Sequence, residues 1–179
     1  MLTIVGGPMF SGKTTWIIDY VTKLTPGSFV LFKPNIDTRF GKDVCVTHHG
    51  KSFPAVNLNT KKIDFSQLKE ELTTIVIDEL NFFSPDALIP LIKEQQKKGR
   101  NIIGAGLLYD YKRQPFGATL PLSKTADSFI RLYARCDRCG KDAGHSYRKV
   151  DVKNQFLLGA KETYGACCDD CWEILSSNV

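Results

Sequence analysis

The stretch Gly6-Gly7-Pro8-Met9-Phe10-Ser11-Gly12-Lys13-Thr14-Thr15 follows directly on the first apolar run, Leu2-Thr3-Ile4-Val5. Glycines placed after a strand mark backbone that must turn sharply or approach something closely. From Gly7 to Thr14 the run fits G-x-x-x-x-G-K-[ST], in which backbone N–H groups wrap phosphate oxygens. Lys13 then reaches the outer phosphates, and the Thr14 hydroxyl is a ligand for Mg²⁺. The plainer alternative is a glycine-rich turn with an accidental lysine. Context separates the two: Leu2–Val5 reads as a buried strand, and Ile17, Tyr20, Val21 and Leu24 recur at helical spacing after the loop. A helix N-terminus there adds partial positive charge and free N–H groups aimed at phosphate. The phosphate-binding candidates are therefore Gly7, Pro8, Met9, Phe10, Ser11, Gly12, Lys13, Thr14 and Thr15.

Working outward, the chain punctuates itself regularly. Pro26-Gly27 stops the first helix, and Phe29–Phe32 is a second strand-length apolar run. Lys33–Gly50 is polar and reads as loop with a short strand near Val44–Thr47, and Phe65–Leu72 reads as a short helix. Thr74-Ile75-Val76-Ile77 is a central strand ending in Asp78-Glu79. Ser84-Pro85-Asp86 opens a helix with serine at the cap, proline at the first position and an acid in the first turn, and Gly99 closes it near Lys98. Asn101–Leu107 is a further buried strand. This alternation predicts an α/β core with a mostly parallel sheet over residues 1–132. From Tyr133 the chain turns Cys-, Gly- and charge-rich, which sets off a small zinc-stapled subdomain over residues 133–179.

Composition narrows the class. With 179 residues, 42% hydrophobic and 24% charged, the chain has room for one packed domain and a small appendage. Its formal charge of +5 fits a phosphate-bearing ligand as well as a solvated basic face. No run approaches the roughly 18 apolar residues of a membrane span. The loop begins too early for a secretory leader, so a cytoplasmic location is expected.

Two further constellations carry chemistry. An apolar strand ending in an acid is what a P-loop protein needs to hold its metal, which makes Asp78 the Mg-linked acid beside Thr14. Its neighbour Glu79 points the other way along a strand and is the candidate base. Cys136-x2-Cys139 and Cys168-x2-Cys171 supply four thiolates, the donor set of a closed structural zinc site. Between Cys139 and Cys168 lie 28 residues, Gly140 to Cys167, so a long segment is looped out. Zinc bound by four thiolates changes the charge by −4 and +2, taking +5 to about +3. Cys45 reads as a small buried hydrophobe, and His48, His49 and His145 as loop residues.

With these motifs in order, the chain resembles the type II thymidine kinases, the compact zinc-containing group distinct from the herpesvirus-type enzymes. The resemblance covers nearly the whole chain. It rests on GPMFSGKTT at Gly7–Thr15, DTRF at Asp37–Phe40, IDELNFF at Ile77–Phe83, GLLYDYKRQPFG at Gly106–Gly117, the CxxC at Cys136 and LLGAKETYGACCDDC at Leu157–Cys171. It implies that Glu79 is the catalytic base and that the segment between the zinc knuckles is a lasso closing over the nucleoside. It further implies that Leu157 and Gly159 meet the base, that Ser146 lies near the thymine methyl group, and that Tyr164 helps hold the sugar. Met9, Phe82, Leu107, Tyr111 and Phe116 match positions that line the base pocket. The implied cofactors are ATP, Mg²⁺ and structural Zn²⁺. The implied assembly is a homotetramer inhibited by the end product dTTP. This sequence departs from the family pattern at Leu80-Asn81, Leu108, Tyr111 and Thr47-His48-His49-Gly50.

The expected activity is transfer of the ATP γ-phosphate to the 5′-hydroxyl of thymidine, with deoxyuridine also accepted. Arg39 is a candidate for phosphate or Mg-linked contacts, against a plain surface arginine. The rival reading is a P-loop nucleic-acid-binding ATPase docking through a zinc ribbon, which needs a basic, aromatic-bearing groove. The looped-out Leu157-Leu158-Gly159-Ala160 is apolar and suits covering a small ligand, so no nucleic acid and no membrane is expected as partner.

Overall fold

The structure, a computed structural model, describes residues 1–37, 43–47, 50–66, 68–152, 154–155, 157, 159 and 161–176. Arg39, His48, His49, Leu158 and Ala160 lie outside the described residues.

Short apolar runs make the sheet. β1 (Leu2–Gly6), β2 (Phe29–Pro34), β5 (Val56–Leu58), β6 (Thr74–Ile77), β7 (Asn101–Gly106) and β8 (Ser128–Arg131) form it in the order β5-β2-β6-β7-β1-β8. Every pairing in it is parallel. β1, β6 and most of β7 are buried along their length, as strands covered on both faces must be. Their side chains alternate between two cores. Ile4, Ile75, Ile77 and Ile102 join the cluster under α2 (Pro85–Lys97) and α3 (Thr119–Ser123). Val5, Val76, Ile103 and Ala105 join the cluster under α1 (Lys13–Val21). α2 buries Leu88, Ile92 and Gln95, one stripe at helical spacing.

The parallel sheet puts the carboxyl ends of its central strands at one edge. Gly6 is in register with Gly106 across β1 and β7, and Ile77 with Gly104 across β6 and β7. The glycine-rich loop, Asp78-Glu79 and Leu107 all leave from that edge, where open α/β sheets bind ligands. β7 can lie this close because of its glycines. A Cβ on Gly106 would fall against Thr119 Oγ1 and come within 2.8 Å of Asn81 Oδ1.

Beyond β8 the chain builds small antiparallel pairs: β9 (Ala134–Arg135) with β10 (Asp142–Ala143), and β11 (His145–Arg148) with β12 (Tyr164–Cys167). Another such pair, β3 (Val44–Val46) with β4 (Ser52–Pro54), lies before the central strands. With α4 (Asp169–Ser176), the C-terminal pairs enclose a third apolar cluster, which includes Cys136, Tyr147, Cys167 and Cys171 and is packed by Phe10 from the glycine-rich loop.

His145, expected in a loop, opens β11, where pairing with Cys167 extends it, and three further local expectations change. The helix predicted over Phe65–Leu72 is absent among the described residues. Asp64 Oδ1 instead accepts from Ser66 N at 2.8 Å, an Asx turn, and Arg100 takes the carbonyls of Lys69 and Leu72 at 2.9 and 3.0 Å. α1 ends at Val21, before Leu24, because Lys23 and Leu24 tighten into bonds to Tyr20 O and Val21 O. Ser84 occupies the cap of α2 with extended backbone but makes no side-chain cap bond, and Pro85 at the first position leaves one orphan N–H fewer at this end.

Candidate active site

The glycine-rich loop begins where β1 ends and runs into α1 at Lys13. Gly12 stands just before the helix with φ 84°, a left-handed conformation that glycine adopts without strain. Phe10 takes the same region at φ 65° without being glycine. That strain is held by its packing against the C-terminal cluster. Lys13 is buried and donates from Nζ to Pro8 O at 2.6 Å, folding back over the loop, and Ser11 Oγ donates to the same carbonyl at 2.8 Å. Met9 N donates to Ser146 Oγ at 2.9 Å, tying the loop to β11.

Asp78 and Glu79 lie just past the end of β6. Thr14 Oγ1 donates to Asp78 Oδ2 at 2.9 Å, so the hydroxyl and carboxylate predicted to share a magnesium ion are already paired. Burial pushes the Asp78 carboxyl up to about 7, the Glu79 charge adds to that, and the Thr14 hydroxyl, the Glu79 N–H and Lys13 oppose it. A divalent cation would relieve this cost, and two oxygen donors suit Mg²⁺. Glu79 diverges from Asp78 for a different reason than strand alternation. Its backbone is left-handed, φ 54° and ψ 48°, and caps the 3₁₀ turn Leu80–Phe82. This turns its side chain into the cleft, while Asp78 stays buried beneath.

An open cleft of about 850 Å³, solvent at its mouth included, lies over these groups. From the glycine-rich loop, Met9, Phe10, Gly12, Lys13, Thr14 and Thr15 line it, whereas Gly7, Pro8 and Ser11 do not. Phe82, Leu107, Tyr111 and Phe116 form one wall, with Phe82 and Phe116 in edge-to-face contact at 5.8 Å. Ser146, Leu157, Gly159 and Tyr164 close it from the C-terminal segment. Every residue expected at the nucleoside thus faces one cavity together with Glu79 and Lys13. The substituted Leu80 and Asn81 lie behind it: Leu80 is fully buried, and Asn81 Oδ1 accepts from Leu107 N at 2.9 Å.

Sequence reasoning missed Tyr109, Asp110 and Gln155, which also line the cleft. Asp110 Oδ1 accepts from Lys112 N and Gln114 N at 2.8 and 2.9 Å, a turn signal that Asp-Tyr-Lys-Arg-Gln does carry. Its other oxygen accepts from Gln155 Nε2 at 2.8 Å, and nothing in the sequence announces that contact.

The sulfurs of Cys136, Cys139, Cys168 and Cys171 lie within 4.8 Å of one another, with Cys139 and Cys168 at 3.6 Å. Tetrahedral zinc with bonds of about 2.3 Å separates its sulfurs by roughly 3.8 Å, so this cluster has the size of a zinc site. Burial raises the Cys136 thiol, but N–H groups of Cys168, Cys139 and Arg138 outweigh it and bring the thiol down to about 6, toward the thiolate zinc needs. Cys167 stands apart in β12, pushed up to about 12 by burial. Burial likewise pushes the Cys45 thiol up. Among the described residues, no helix is long and apolar enough to cross a membrane.

A family model described as thymidine kinase matches residues 1–172. A thymidine kinase of Pseudothermotoga lettingae is 32% identical over 98% of this chain and 96% of its own. Among solved structures, a Pif1 helicase at forked DNA aligns with TM-score 0.42 at 18% identity, over 73% of this chain and 39% of that one. A Bacteroides Pif1 helicase with ADP-AlF3 and single-stranded DNA aligns at 0.37 and 18%, over 72% and 33%.

Proposed function

Since the chain belongs to the thymidine kinase family, we propose that it transfers the γ-phosphate of ATP to the 5′-hydroxyl of thymidine, giving dTMP, and that it accepts deoxyuridine as well. One observation carries this reading: the phosphate loop, the Glu79 carboxylate and the apolar, aromatic wall all face a single cleft. In it an acceptor hydroxyl and a donor phosphate can be held together, and positioning is most of what phosphoryl transfer asks of a protein.

In this reading Lys13 and the N–H groups at the start of α1 bind and balance the charge of the triphosphate. Lys13 leaves Pro8 O to do so. Thr14 and Asp78 would hold Mg²⁺, which when bound neutralises phosphate charge. Glu79 accepts the proton of the attacking 5′-hydroxyl. Phe82, Phe116 and Tyr111 present faces and edges to the base, while the strap carrying Leu157 and Gly159 excludes water. The four cysteines would hold a structural zinc ion that anchors both ends of that strap. We assign residues 1–132 to the nucleotide-binding domain and 133–179 to the zinc-binding lid. The separate apolar cluster of the C-terminal segment supports that division. Four reduced thiolates suit the cytoplasm, where we place the protein. A homotetramer and feedback inhibition by dTTP complete the reading, carried by the family resemblance.

The test is product analysis with purified protein, ATP and Mg²⁺. Thymidine-dependent formation of ADP and dTMP in equal amounts is expected. ATP consumption stimulated by single-stranded DNA, with no nucleotide product, would replace this reading with the nucleic-acid ATPase.

A further inference from the structure

Arg148 ends β11 at the point where the strap departs, and its side chain is essentially fully buried. The sequence offers no reason to single it out, yet its guanidinium donates to four acceptors beside the cleft. Nη1 donates to Asn154 O at 2.6 Å and also to Val152 O, and Nη2 donates to Gln155 O at 3.1 Å. Nη2 also donates to Tyr164 Oη at 2.7 Å, and Tyr164 Oη in turn donates to Leu157 O at 2.9 Å. The strap therefore curls round one planar cation, which takes three of its carbonyls directly and a fourth through a phenol. None of these four oxygens belongs to a carboxylate.

Two aromatic rings complete the cage. The guanidinium carbon stands 3.7 Å from the centroid of Tyr111 and 5.1 Å from that of Tyr164. Nε is buried without a hydrogen-bond partner, so the ring faces contribute to offsetting its desolvation. Tyr111, Leu157 and Tyr164 line the cleft, whereas Arg148 itself does not. Gln155 adds an outer tie to Asp110, on the loop that carries Tyr111.

We propose that Arg148 is the positioning residue that presets the strap over the cleft, and so sets nucleoside affinity without touching nucleoside. Ordering a loop before binding removes that entropic cost from the binding step. A planar fork is required, because only a guanidinium presents donors in fixed directions to several carbonyls while stacking on a ring. The proposal rests on the reading of Leu157 and Tyr164 as nucleoside contacts, and says which group places them.

The experiment compares zinc-loaded wild type with Arg148→Lys and Arg148→Ala. Arg148→Lys keeps the charge and loses the fork. A rise of tenfold or more in the thymidine KM is expected in both variants. The ATP KM and the kcat at saturating thymidine should stay within about twofold, with one zinc retained per chain. Added methylguanidinium should restore part of the thymidine affinity to Arg148→Ala and none to Arg148→Lys. A general loss of structure would not produce that pattern. If Arg148→Ala does not fold, Arg148→Lys decides alone. A second arm needs no nucleoside: trypsin should cut between Lys149 and Lys161 at least tenfold faster in Arg148→Lys than in wild type. Thymidine and ATP constants that rise together, or a thymidine KM within twofold of wild type in Arg148→Lys, would overturn the proposal. If wild type phosphorylates no nucleoside, the reading of the ligand fails. The proteolysis arm still decides whether Arg148 holds the strap.

Discussion

Gly106→Ala should show how tightly the back of the cleft is built. A Cβ at this position would fall against Thr119 Oγ1, 2.8 Å from Asn81 Oδ1 and 3.0 Å from Leu80 N. Two of the three obstacles belong to the turn after Glu79, so relief requires that turn to move. Overpacking of this kind costs about 1–3 kcal/mol. Moving Asn81 also breaks its bond to Leu107 N, and a buried donor left unpaired costs about 1–3 kcal/mol more. Against this, alanine reduces the freedom of the unfolded chain by about 0.4–1 kcal/mol. The net loss is about 3 kcal/mol, which for a chain of this size lowers Tm by roughly 6–12 °C. Scanning calorimetry of the zinc-loaded protein measures it. Gly144→Ala, where a Cβ would meet only Arg131 Nη2 at 3.4 Å and Tyr133 at 3.9 Å, is the control and should shift Tm little. Adding Thr119→Ala to Gly106→Ala should recover part of the loss, since Thr119 Oγ1 is buried without a partner and removing it sacrifices no bond. Because Leu107 faces the cleft, the thymidine KM should rise as well. A Tm within 2 °C of wild type would refute the claim that β7 and the 80–82 turn are held in contact.

Glu79→Gln should lose most turnover while thymidine and ATP still bind, and near-normal turnover would end its assignment as base. Cys168→Ser should lose zinc and weaken thymidine binding more than ATP binding, whereas Cys167→Ser keeps one zinc per chain. Metal analysis showing the reverse would exchange their roles. Deoxycytidine should be a poorer substrate than thymidine or deoxyuridine by about 1–3 kcal/mol or more in kcat/KM, because its amino group reverses a donor–acceptor pair. Asp78 holds its proton up to about pH 7 when folded but only to about 3.8 when unfolded, so the magnesium-free protein should lose stability as pH rises between those values. Asp78→Asn should flatten that slope, as urea titrations across the range will report.

The parts of this molecule legible in the sequence are those where one local rule decides. Leu2–Gly6 and Thr74–Ile77 are short, apolar and bounded by turn chemistry, and each is a buried parallel strand. The helix after Ser84 carries its own start and stop signals and runs through Pro90 to Lys97. Phe65–Leu72 misled because its backbone is claimed from a distance. The Asp64 carboxylate takes Ser66 N at the start of the segment, and the guanidinium of Arg100, some thirty residues on, holds the Lys69 and Leu72 carbonyls at its end. The same limit applied at the cleft. The glycine-rich loop and both CxxC pairs announce themselves through spacing, whereas Asp110 meets Gln155 across the chain and Arg148 works through nearby loop carbonyls that no sequence pattern marks.

Those illegible contacts explain why two halves of such different character share one site. The phosphate loop is a local motif, yet Met9 N is held by Ser146 Oγ, and Phe10 packs among the residues around the cysteine cluster. On the opposite wall, Arg113 reaches from the Tyr111 loop to Asp169 at 3.0 Å and lies 4.5 Å from the Trp172 ring, each next in sequence to a cysteine of the cluster. The cysteine module thus grips the glycine-rich loop and the Tyr111 loop at once. On the proposed reading, a metal bound there would fix the distance between donor and acceptor subsites, not just the lid above them. That is why loss of zinc should reach thymidine first: the base wall and the strap both hang from the module, whereas the phosphate loop is also anchored by β1 and α1.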